Sequence, residues 1–283
     1  MSATMTVRPP AVRPHQAGGV GAWLKDVWVM TRRNLLHIRR EPAQLSDVTI
    51  QPVLFTLLFV YVFGAAMTLP GGASYKEFAI PGLLVMNLTM ATVGTAIGLS
   101  TDLSTGVIDR LRTLPMFQTA ILIGRSASDL LAAVLGGAVV LATGFAIGWR
   151  PDATTLSVAA GVGIVVLFAY AMTWVNTCVA LGVKGPEAAQ GVVFVFLFPL
   201  AFVSNVFAPT QGMPSWLATV ADWNPVSAVT SACRDLFGAA NPSASVQVWP
   251  MQHPVEAALL WSVGLLAVCI PLAGHLYRRR TRD

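Results

Sequence analysis

The 283 residues are 55% hydrophobic and only 11% charged, with a mean hydropathy of +0.66. An average soluble domain carries roughly 25% charged residues, so this chain lacks the polar side chains to cover a water-facing surface of its own size. A large soluble core is excluded, and the net charge of +5 reads as membrane orientation and not as a nucleic-acid footprint; no nucleic-acid partner is expected.

Residues 1–21 hold Pro9, Pro10, Pro14, Gly18, Gly19 and Gly21 and lack the apolar stretch of a signal peptide. They are expected to form a flexible cytoplasmic tail. Residues 22–42 are too charged to span. Leu24, Val27, Trp28, Thr31, Leu35 and Ile38 recur at helical spacing beside Lys25, Arg32, Arg33, Arg39 and Arg40. That pattern predicts an amphipathic helix lying in the plane of an anionic leaflet, ended by Glu41-Pro42. A plain anchor and a partner contact explain it equally well.

Residues 43–283 contain apolar stretches near the roughly 20 residues that cross about 30 Å of hydrocarbon. They run over about 48–67, 78–100, 117–149, 156–183, 188–208 and 255–277. The third is too long for one perpendicular crossing, so its start, with Arg125 and Asp129, is expected at the interface. The fold class predicted is an all-α membrane protein of six transmembrane helices.

Two segments between the spans are neither apolar enough to cross nor polar enough to be plain loops. In 101–115, Leu103, Val107, Leu111 and Leu114 fall on one helical stripe, with Asp102, Asp109, Arg110 and Arg112 off it. A short helix pinned between two spans is expected there, with an incidental loop as the bland alternative. In 209–254, Pro214 opens a short helix that Asn224-Pro225 stops, and Val226 to Phe237 forms a second stopped by Gly238. This reads as an external re-entrant or interfacial hairpin, which the membrane tolerates where protein or a cavity covers it.

Six spans with both termini on one side put fifteen of the 18 basic residues on that side, leaving Lys76, Arg150 and Arg234 opposite. The positive-inside rule then places both termini in the cytoplasm of a cell inner-membrane protein.

Polar residues inside the spans are few. Asn87, Thr92, Thr173, Asn176 and Asn205 are candidates for a translocation path, although interhelical packing explains them more simply. Asp129 is a functional candidate as a membrane carboxylate, but Arg125 stands one turn before it and pairing accounts for it. A proton-coupled exporter using Asp129 is the alternative reading. Cys178, Cys233 and Cys269 have no metal-ligand or disulfide pattern and read as structural. None of the three lysines follows a glycine, so there is no phosphate-cradling G-x-x-x-x-G-K-[ST] loop. With four scattered histidines and no hydrolase motif, no catalytic, cofactor or metal site is expected, and the chain is not read as an enzyme.

Several stretches carry a resemblance. Phe78-Ala-Ile-Pro-Gly-Leu-Leu-Val opens the second span, and Ser100-Thr-Asp-Leu-Ser-Thr-Gly-Val-Ile-Asp-Arg-Leu-Arg-Thr-Leu-Pro-Met follows it. Then come Gly124-Arg-Ser-Ala-Ser-Asp, Phe202-Val-Ser-Asn-Val-Phe-Ala-Pro, Met213-Pro-Ser-Trp-Leu, Asn224-Pro-Val-Ser and Arg234-Asp-Leu-Phe-Gly. In this order the chain, from about residue 20 onward, resembles the ABC-2 permeases, more narrowly the daunorubicin-resistance-type drug-exporter permeases. The resemblance implies an in-plane connecting helix, a coupling helix between spans two and three, and an external hairpin before span six. It also implies a second permease subunit, homodimeric or heterodimeric, and cytoplasmic ATPase subunits that hold the ATP and Mg. On it, Asp102, Leu103, Val107, Asp109, Arg110, Leu111 and Arg112 are the expected ATPase-coupling residues, and the cargo is an amphipathic drug, polyketide, lipid or polysaccharide. The scarcity of polar residues in the spans favours a lipid-soluble cargo.

Overall fold

The computed structural model describes residues 21, 25–32, 42–67, 69, 72, 74–112 and 118–280. The expected tail over 1–20, most of the expected in-plane helix, and Leu114 and Pro115 lie outside these. Every regular element among the described residues is helical.

Helix α1 covers residues 25–32. Helix α2, Pro42–Leu58, continues through a π-helical turn, Phe59–Phe63, to Ala66. The second span is two helices end to end, α3 (Tyr75–Ala91) and α4 (Val93–Ser104), and a six-residue helix α5 (Val107–Arg112) follows. Helix α6 spans Gln118–Ala146, α7 Thr155–Gly182 and α8 Pro186–Phe202. Short helices α9 (Ser215–Asp222), α10 (Pro225–Phe237) and α11 (Trp249–Gln252) precede α12, Pro254–Arg280.

Among the described residues, five stretches are long and apolar enough to cross a bilayer: Ser46–Ala66, Tyr75–Ser104, Leu122–Ala146, Thr155–Gly182 and Pro254–Arg280. The sixth expected stretch, 188–208, is a 17-residue helix that ends at Phe202. At a rise of about 1.5 Å per residue, 17 residues reach about 25 Å, short of the hydrocarbon thickness. The cause of its early stop is tertiary. Asn224 turns its side-chain amide onto the carbonyls of Leu200 and Val203 at 2.6 and 2.5 Å, closing the end of α8. The long third stretch is one continuous helix, so Arg125 and Asp129 share its axis with the apolar part.

Helix α7 is the hub. It carries no charged residue, and Thr154 caps its start by accepting from Ser157 N at 3.3 Å. It packs on α12, α10, α4 and α6. Phe168, Ala169, Ala171 and Met172, in the middle of the helix, are all fully buried, while its first turns are exposed. At the far end of this helix, Arg280 of α12 donates to the carbonyls of Ala180, Leu181 and Val183 at 2.7 to 3.0 Å. Those are the carbonyls a helix end leaves without partners.

The segment expected to form a hairpin contains the two expected short helices, α9 and α10, with both predicted stops in place. Asn224 Oδ1 accepts from Val226 N at 2.8 Å to start α10, and Gly238, at φ +64°, ends it in the left-handed region.

Candidate functional site

The segment expected to couple the chain to a motor is reached through the second span. Its two halves have different neighbours. Helix α3 packs mainly on α6 and α10 and less on α7, whereas α4 packs mainly on α7 and α8. The change of partner falls at Thr92, where the backbone makes i,i+3 bonds (Thr92 N to Thr89 O at 3.3 Å, Thr95 N to Thr92 O at 3.1 Å) in place of the α-helical pattern. The Thr92 hydroxyl donates to Thr89 O at 2.6 Å, and Asn176 of α7 donates its amide to the same hydroxyl at 2.7 Å. Threonine back-bonding of this kind bends helices.

Beyond Ser104 the sequence pattern and the structure part. A single stripe through Leu103, Val107, Leu111 and Leu114 requires one unbroken helix. The chain instead breaks at Thr105-Gly106, with Gly106 at φ +68°, a conformation that L side chains rarely adopt. Asp102 and Leu103 therefore belong to the end of the span, and Val107, Asp109, Arg110, Leu111 and Arg112 form a separate short helix, α5. Ile108 of α5 is buried and Arg110 is exposed.

Asp102 is also engaged within the chain. Arg125 of α6 donates from Nη1 to Asp102 Oδ2 at 2.5 Å and from Nε to Asp129 Oδ2 at 3.4 Å. The three side chains are 15 to 25% exposed. One guanidinium thus serves two carboxylates, one on its own helix and one on α4. The arginine lies flat against Gly98, where a Cβ would fall 1.7 Å from its Nη2. The predicted Arg125–Asp129 pair is present, and the Asp102 contact, invisible to local spacing, extends it across helices.

Next to Arg125, Gly124 seats α1. A Cβ at Gly124 would meet Met30 Cβ at 2.5 Å and Val27 O at 3.1 Å, and the Thr31 hydroxyl shares its one proton between Val27 O at 2.9 Å and Gly124 O at 3.2 Å. Met30 and Thr31 are buried there, while Trp28 is 63% exposed.

The five polar residues considered for a path separate into two groups. Thr92, Thr173, Asn176 and Asn205 are buried among helices of this same chain. The Thr173 hydroxyl is used by Ala169 O at 2.9 Å, and Asn205 donates to the Ser231 and Ser243 hydroxyls at 2.7 and 3.0 Å. The donors of these four are used inside the bundle. Asn87 alone is half-buried, against Gly136.

At the other end of the second span stands a residue that the charge count treated only as a marker of sidedness. Arg234 is fully buried in α10. Its Nε donates to Phe78 O at 3.0 Å and its Nη2 to Asn205 O and Val206 O at 3.0 and 3.1 Å, with the guanidinium 3.6 Å from the Phe78 ring centroid. Three main-chain carbonyls and an aromatic face replace water around the cation. A basic residue in a half-apolar helix ending in Gly is the one local signal that could have flagged it.

No cluster of His, Cys, Asp or Glu among the described residues has metal-binding spacing.

The ABC-2 type transporter family matches residues 25–237. The chain belongs to that family. This ABC-2 permease is therefore a multi-pass membrane protein, in keeping with its five apolar helices of crossing length. It is 33% identical over 97% of its length to the daunorubicin resistance ABC transporter permease protein DrrB1 of Streptomyces coeruleorubidus, covering 92% of that protein. It is 23% identical to the probable doxorubicin resistance ABC transporter permease protein DrrC of Mycobacterium tuberculosis, over 93% of this chain and 92% of that one. A putative transport permease, ycf38, of Porphyra purpurea is 26% identical over 76% of this chain and 74% of its own.

Proposed function

We propose that this permease is the membrane subunit of an ATP-binding-cassette exporter that moves amphipathic drugs, polyketides or lipids outward, driven by a separate ATPase subunit holding ATP and Mg. The observation that carries the reading is the likeness to a daunorubicin resistance permease along nearly the whole of both chains. The geometry supports it, since the second span leads through a sharp break into a short helix joined to the next span.

In this reading the end of the bundle bearing Ser104, Arg125, Lys184 and Arg280 is cytoplasmic, in the cell inner membrane, with both termini on that side. Helix α8 and the irregular segment after it complete a sixth crossing, the hairpin α9–α10 lies at the external face, and α1 lies in the plane of the cytoplasmic leaflet. Helix α5 docks on the ATPase, with Val107, Asp109, Arg110, Leu111 and Arg112 as its contacts. Asp102 and Leu103 act at its root. A second permease subunit completes the transporter. Asn87 remains a candidate contact for cargo.

The test is daunorubicin efflux from cells expressing the permease with an ATP-binding subunit, compared with either subunit alone. Efflux that needs both subunits and ceases on charge reversal at Asp109 and Arg110, at unchanged permease level, supports the reading. Robust ATP hydrolysis by the permease purified free of any ATPase overturns it. Reporter fusions after Arg280 and at Gly72 test the topology, and an external signal from the first rejects it.

A further inference from the structure

Three elements converge on one pair of adjacent residues. Helix α1 sits on Gly124, whose missing side chain leaves room for Met30 and the Val27 carbonyl. The neighbouring Arg125 reaches across Gly98 to Asp102, two residues before α4 ends. From there the chain passes through Gly106 directly into α5. Asp129, one turn along α6, holds the Arg125 Nε and so aims the Nη1 at Asp102. One carboxylate orients the guanidinium and the other is gripped by it.

Resting on the reading of α5 as the docking element, we propose that Arg125 is a positioning residue that holds α1 and α5 in fixed relation. The two helices then present one preorganised surface to the ATP-binding subunit.

Simple stabilisation does not account for the arrangement as well. At 15 to 25% exposure the pairing offsets only part of the hydration that the three charged groups give up, and the guanidinium occupies space that only glycine at 98 leaves open. A six-residue helix such as α5 has no fixed direction by itself, so its orientation relative to α1 must come from what both are tied to. Ordering a surface before the partner arrives removes that cost from association.

The experiment uses the full chain in lipid nanodiscs, with the three cysteines replaced by alanine and spin labels at Trp28→Cys and at Arg110→Cys on α5, while affinities are measured on chains with native Trp28 and Arg110. The parent should give one narrow distance distribution, as should Arg125→Lys, which keeps the charge within reach of Asp102. Arg125→Gln and the isosteric Asp102→Asn should broaden it and weaken binding to the ATP-binding subunit by about tenfold. Their thermal midpoints should stay near that of the parent, which separates positioning from loss of fold. A distribution that stays narrow in both variants overturns the proposal, as does broadening that leaves the affinity unchanged. Failure of the parent chain itself to bind the ATP-binding subunit would instead overturn the function proposed above.

Discussion

Asn176 gives its side-chain amide to the Thr92 hydroxyl at 2.7 Å, and the chemistry fixes which way the amide faces. Thr89 O only accepts, so the Thr92 hydroxyl spends its proton there and can only accept from Asn176. Asn176 Oδ1 is consequently buried without a hydrogen-bond partner. The bond joins the hub helix to the second span where the span changes neighbours.

Replacing Thr92 by Val keeps the shape and removes the acceptor, leaving the Asn176 amide unpaired as well. Burying an unmet donor costs about 1–3 kcal/mol, so the thermal midpoint should fall by several degrees. Thr92→Ser should keep most of it. The pair Thr92→Val with Asn176→Leu should cost less than the two single changes added together. Strict additivity would show that the bond carries no coupling.

Arg234 has no side-chain acid in its immediate bonds, so its removal orphans three carbonyls of α3 and the segment after α8. Arg234→Leu should destabilise by about 3–5 kcal/mol and largely abolish a monodisperse peak in size-exclusion chromatography. Arg234→Lys, with one compact ammonium in place of a planar fork, should fall between. A parent-like profile for the leucine variant would contradict the bonding described.

Asn224 serves two helix ends at once, accepting from Val226 N and donating to Leu200 O and Val203 O. Asn224→Asp keeps the acceptor but sets a carboxylate against two carbonyl oxygens. Aspartate should therefore be no better than alanine in hydrogen exchange at the Val203 amide, although aspartate alone is an excellent helix cap. Rescue by aspartate would mean that only the α10 cap matters.

In the hairpin, Trp216, Val220 and Trp223 are 69, 55 and 53% exposed, whereas Ala221 and Asp222 are buried. Single cysteines through 215–237, in a background without the three native ones, should react with thiol reagents at 216, 220 and 223. Positions 226–234 should be protected. Uniform reaction across both helices would reduce the hairpin to an open loop.

The sequence by itself determined the membrane class, five apolar stretches of crossing length, the two short helices α9 and α10 and their stops, and the Arg125–Asp129 pair. These follow from composition, period and local spacing, all of which lie within a few turns of one another along the chain. The family resemblance rested on ordered short stretches for the same reason. Tertiary structure decided the rest. Asn224 shortens α8 from 21 residues away, Asp102 is claimed by an arginine 23 residues away, and Arg234 finds its carbonyl on Phe78, 156 residues away. A hydrogen-bond donor in a low-dielectric interior takes whatever acceptor packing brings within about 3 Å. Charge counting therefore could not see the burial of Arg234, and helical spacing ran a single stripe through Gly106. In both places it was the packing of distant segments, unseen in local pattern, that set the outcome.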